Sequence, residues 1–189
     1  WGQNGNFLDV PTDCPQRDER LGWTGDAQAF SRTAMFNRDA YAFFAKWLQD
    51  LAADQLPNGS VPFVIPAAIG QSGAATGWAD AATIIPWNHY LCYGDKRVLE
   101  RQSASMKAWV GYMERQSRND LWNTGFHFGD WLFYSPAPDD RDGRAAVTDK
   151  YLLAQCFFAH STQLMIQTAQ VLGTGDEVRD YQTLLERVK

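Results

Sequence analysis

Asp13-Cys-Pro-Gln-Arg-Asp-Glu-Arg-Leu-Gly-Trp-Thr-Gly-Asp26 brings four carboxylates, two arginines and a tryptophan into one segment that Pro15, Gly22 and Gly25 keep out of regular structure. A loop with only a structural role needs turn formers and a cap. This one sets carboxylates beside guanidinium groups able to hold some of them ionised, and beside an indole whose face suits a sugar ring. Carbohydrate is the ligand class these residue types favour.

Outward from this loop, the sequence divides into helical pairs. Asp26 is positioned to cap a helix over 27–36, and a second helix follows Asn37 to about Gln55, with Tyr41, Phe44, Trp47, Leu48 and Leu51 on one stripe. Leu56-Pro-Asn-Gly-Ser60 stops it. The next helix is expected from near Ile84, with Pro86 in its first turn, to Tyr93-Gly94. Asp95 then caps a helix striped by Leu99, Met106, Trp109, Val110 and Met113. A third pair is read from 148–172, followed after Gly173-Thr-Gly-Asp176 by a helix from Glu177. Strand alternation is nearly absent.

The punctuation repeats. Asn37-Arg38-Asp39, Gly94-Asp95-Lys96 and Gly175-Asp176-Glu177 each separate a more apolar helix from a more amphipathic one. Three hairpins of one design predict an all-α toroid, with apolar helices inside and amphipathic ones outside. The loops entering the inner helices then share one end. They are 13–26, Gly77-Trp78-Ala79-Asp80 and His127-Phe128-Gly129-Asp130-Trp131, and each holds an acid and a tryptophan. Indole packs on the C–H face of a hydroxylated ring while a carboxylate accepts from its hydroxyls. The bland alternative makes Asp26, Asp80 and Asp149 simple N-caps, and Arg17 and Arg20 surface partners of loop carboxylates. His89 and His160 lie within helices and read as structural, and a ligand contact is not favoured for His127. The acidic run 139–142 reads as a solvated loop.

The 189 residues carry 17 Lys and Arg against 22 Asp and Glu, a net charge of −5, with no basic run. Nucleic acid and membrane are therefore not expected as partners. Cys14, Cys92 and Cys156 show no paired metal-ligand spacing, and no phosphate-type glycine loop occurs, so neither metal nor cofactor is expected. Cys92 and Cys156 fall in apolar helical patterns and read as core residues. The chain starts at Trp1 and ends inside an amphipathic pattern, which suggests a piece of a larger protein.

The 13–26 segment closely resembles the signature of the bacterial-type α-L-rhamnosidases, inverting glycoside hydrolases with a barrel of six helical hairpins. Trp78 in Gly-Trp-Ala-Asp-Ala-Ala and Trp131 in Gly-Asp-Trp-Leu resemble later motifs of that family, in order. The resemblance implies an (α/α)6 toroid of which about three of six hairpins lie in 1–189. It also implies Glu19 as general acid; neighbouring acids and partial burial are expected to keep its carboxyl protonated. Asp13, Arg17, Trp23 and Asp26 would bind rhamnose, and Trp78 and Trp131 would wall the pocket. The family's base, a glutamate of the later half-barrel, has no counterpart motif here, so the partners implied are a rhamnose-containing glycoside and the remaining half of the barrel. Another inverting (α/α)6 glycosidase, trehalase-like or glucoamylase-like, and a non-catalytic sugar-binding module are the alternatives.

Overall fold

The structure, a computed structural model, describes residues 1–14, 16–70, 73–131 and 148–189. Seven helices lie among them: α1 (Gly2–Asn6), α2 (Thr24–Asn37), α3 (Tyr41–Asp54), α4 (Ala81–Tyr93), α5 (Arg97–Gln116), α6 (Lys150–Leu172) and α7 (Gly175–Val188). Isolated bridges such as Trp23 with Val64 replace strands among the described residues. The acidic run 139–142 lies outside them.

The three hairpins are α2–α3, α4–α5 and α6–α7. Helix α4 packs on both α2 and α6, while α3 packs on α5, so the even-numbered helices form an inner row and α3 and α5 an outer one. The pattern of burial follows. Phe44, Trp47, Leu48 and Leu51 of α3 and Leu99, Met106, Trp109, Val110 and Met113 of α5 are buried as the stripes predict. Each large side chain so buried contributes about 1.5–3 kcal/mol of hydrophobic stabilisation. Gly94 (φ 68°) and Gly173 (φ 75°) end α4 and α6 in the left-handed conformation that costs glycine little. The first hairpin turns differently, through an extended Arg38.

Several boundaries differ from the sequence reading. Helix α2 begins at Thr24, so Asp26 sits in its first turn instead of capping it. Helix α4 begins at Ala81, which leaves Pro86 inside the helix. Tertiary packing accommodates the ring, since Pro86 is buried. Lys96 occupies the cap position of α5, although Asp95 still accepts from the Arg97 N–H at 3.0 Å. Asp149 caps α6 as expected, accepting from Tyr151 and Leu152. Cys92 and Cys156 are exposed, contrary to their reading as core; only Cys14 is buried. An all-round apolar pattern fixes the burial of a helix as a whole without fixing each position.

Candidate active site

The 13–26 loop is shaped by its backbone. The Leu21 carbonyl accepts from the N–H groups of both Asp13 and Trp23, and Arg20 turns the chain at φ 51°. Gly22 then lies against the 63–65 segment: Ile65 N donates to Gly22 O at 2.9 Å, and a Cβ on Gly22 would sit 2.2 Å from Ile65 O. Trp47 anchors the same Ile65 carbonyl from α3 through its indole N–H at 3.0 Å. The signature loop is thus fixed by the first hairpin's own core.

This scaffold points Glu19 and Trp23 at each other. Trp23 donates its indole N–H to Glu19 Oε1 at 2.5 Å, and Arg17 Nε donates to Oε2 at 2.8 Å. Arg17 also reaches Asp13 at 3.2 Å. These donors hold the Glu19 carboxyl below its ordinary range, Arg17 contributing most and Trp23 next. The expectation of a protonated Glu19 is corrected: in this state its guanidinium and indole partners keep it ionised. Asp26 behaves oppositely. One side of the residue faces solvent, yet the protein packed about its carboxyl, and then the nearby charge of Asp13, push its pKa up.

Asp13, Arg17, Glu19, Trp23, Asp26, Trp78, Phe128 and Trp131 line one cavity of about 520 Å³. All seven residues singled out in the sequence therefore meet, although they come from three loops. Phe128 is the member the sequence reading missed as a pocket residue; its position beside Gly129-Asp130-Trp131 in the third entry loop was the available signal. Its ring lies 4.2 Å from that of Trp78 and 5.1 Å from that of Trp131, and Trp78 meets Trp131 edge to face at 6.3 Å. Trp78 rests on Gly25, where a Cβ would come within 2.7 Å of the indole. The remaining rim acids do not join them. Asp80 is fully buried beneath the turn, and Asp130 accepts from the Thr148 N–H at 2.8 Å. Of three expected acid–tryptophan pairs, only the first loop brings its carboxylates into this cavity.

His127 is buried and structural: its Nδ1 accepts from the Thr76 N–H at 3.1 Å and its Nε2 lies 3.0 Å from Thr124 O. His89 is likewise buried, with Nε2 3.1 Å from Tyr41 O, whereas His160 is exposed on α6. Asp13, Cys14 and Glu19 offer ligand atoms within 4.8 Å of one another, but Arg17, bonded to both carboxylates, already supplies their counter-charge. No helix of the described residues is long and apolar enough to cross a membrane.

Helical hairpins arranged in inner and outer rows, with a carboxylate- and tryptophan-lined cavity at the mouth of the inner helices, are the architecture of an α/α toroid. The chain belongs to the family of the bacterial α-L-rhamnosidase six-hairpin glycosidase domain, which it matches over residues 1–189. It is 44% identical to an α-L-rhamnosidase of Formosa agariphila over its whole length, which is 20% of that protein, and 39% identical to one of Streptomyces avermitilis, covering 17% of it. Among solved structures it is similar to the Streptomyces avermitilis α-L-rhamnosidase complexed with L-rhamnose (TM-score 0.88, 40% identity, all of this chain and 17% of that one). It is similar also to the Aspergillus terreus enzyme (TM-score 0.90, 40% identity, all of this chain and 22% of that one). The chain thus spans about a fifth of the length of these relatives.

Proposed function

We propose that residues 1–189 form three of the six hairpins of a catalytic barrel that hydrolyses terminal α-L-rhamnosides with inversion, Glu19 being the proton donor. The observation that carries the reading is the convergence of Glu19 with Trp23, Trp78 and Trp131 on one cavity. The L-rhamnose complex of a relative with the same fold supports the choice of sugar. In the reaction Glu19 protonates the glycosidic oxygen as its bond to the anomeric carbon breaks. Asp13 and Asp26 accept from the sugar hydroxyls, and the three indoles cover its apolar face.

The Arg17–Glu19 pair sets a condition on this mechanism. Glu19 takes up its proton when the bound glycoside excludes water and Arg17 swings fully onto Asp13, which it already contacts at 3.2 Å. Inversion also requires a second carboxylate about 6.5–9.5 Å from the acid to activate water. That base we assign to residues beyond this chain. In the full-length protein, Glu19→Gln should lower turnover of rhamnosides with poor leaving groups about 100-fold or more while leaving binding largely intact. A sugar-binding module would instead bind L-rhamnose with no turnover in the wild type.

A further inference from the structure

Asp80 holds the N-cap position of α4, but its side chain makes no cap hydrogen bond. Its carboxylate is fully buried and both oxygens are in use: Oδ1 accepts from Trp109 Nε1 of α5 at 3.0 Å and from Ser161 Oγ of α6 at 2.7 Å, while Oδ2 accepts from the Gly77 N–H at 2.9 Å. The same turn is held from α2, where Gln28 Nε2 donates to Gly77 O at 3.0 Å. Trp78 follows directly, and its backbone N–H donates to Ala75 O at 3.3 Å. Side chains of all three hairpins thus converge on Gly77, the residue that precedes a pocket wall: Gln28 directly, and Trp109 and Ser161 through Asp80.

We propose that Asp80 is a positioning residue: it references the Gly77–Trp78 turn to α5 and α6, with Gln28 as a second clamp from α2, and thereby fixes the Trp78 indole in the cavity beside Glu19. The physical case rests on accounting for acceptors. Three N–H or O–H donors from three elements meet one carboxylate, and a buried carboxylate is retained where its hydrogen bonds are complete. No neutral isostere replaces it. Asparagine has one acceptor oxygen; turned toward Trp109 and Ser161 it presents its amide hydrogens to the Gly77 N–H, and turned the other way it presents them to the indole N–H. Packing beneath the indole, on Gly25, leaves little alternative room, so a moved turn must move the ring.

The test rests on the rhamnosidase reading only in its second readout. In the full-length protein, Asp80→Asn and, separately, Gln28→Leu are compared by crystal structure and by kcat/KM on an aryl α-L-rhamnoside, with Leu51→Ala as a remote destabilising control. The expected result is a displaced Trp78 indole in the Asp80→Asn structure and a fall in kcat/KM of about 100-fold, the scale of an ångström-sized misplacement at a reacting centre. Gln28→Leu should give a smaller displacement and carries the test if Asp80→Asn does not fold. Leu51→Ala should lower Tm without changing kcat/KM below melting. Trp78 unmoved in the folded variants overturns the proposal, whether or not their Tm falls as the control's does. If Trp78 moves while turnover stays unchanged, positioning stands and the catalytic reading of this cavity is what fails.

Discussion

Arg17 donates its Nε–H to Glu19 Oε2 at 2.8 Å, so the residue assigned as proton donor rests in an ion pair. With Arg17 the largest cause of a lowered Glu19 pKa, a general acid here loses its proton at lower pH than an unpaired glutamate would. Arg17→Gln removes that cause and leaves the Trp23 bond. The basic limb of the kcat/KM profile should therefore move to higher pH, even if the maximum falls through weaker sugar binding. A pH–rate series on one aryl rhamnoside checks it, and a limb that stays put assigns the ionisation to another group.

Gly25→Ala tests the pocket wall from below. Alanine is better than glycine in a helix by about 1 kcal/mol, so α2 should not suffer from propensity. Its Cβ, however, would lie 2.7 Å from the Trp78 indole and must displace it. The expected variant keeps its Tm while KM for an aryl rhamnoside rises about tenfold or more, the scale of one lost stacking contact. Unchanged KM would mean that Trp78 does not contact the sugar.

Acid sensitivity should trace in part to His127. Burial lowers its pKa, and its bond from Thr76 N–H requires Nδ1 unprotonated. A group with a depressed folded pKa contributes stability that is present above the unfolded value of about 6.5 and is lost as pH falls through the folded value. His127→Gln can still accept from Thr76 and does not titrate. Thermal melts between pH 7.5 and pH 5 should show a shallower loss for the variant than for the wild type; parallel curves would remove His127 as a source.

Residues 1–189 expressed alone should release no rhamnose from an aryl rhamnoside. An arc of three hairpins leaves the cavity open to water and, on the proposed assignment, lacks the base. The exposed Phe36, Leu152 and other apolar side chains should also promote association. Sustained turnover by a monodisperse monomer, abolished by Glu19→Gln, would place the base within this chain.

The sequence by itself determined the hairpin repeat, because stripes such as Phe44-Trp47-Leu48-Leu51 and the glycine stops at 94 and 173 are local signals that packing then obeys. It also marked the 13–26 loop and its two later tryptophan partners, since their residue types are chemically unusual wherever they fold. Tertiary structure decided what each carboxylate does. Asp26 and Asp80 look alike as helix-start acids, yet one opens into the cavity and the other is sealed among Trp109, Ser161 and Gly77. Likewise, the loop's own conformation selects Glu19 among its carboxylates as the one Arg17 and Trp23 hold ionised, and only the fold turns Cys92 and Cys156 outward. Periodicity reports which face of an element is buried, whereas the hydrogen-bond partners of a buried group such as Asp80 come from atoms tens of residues away in the chain.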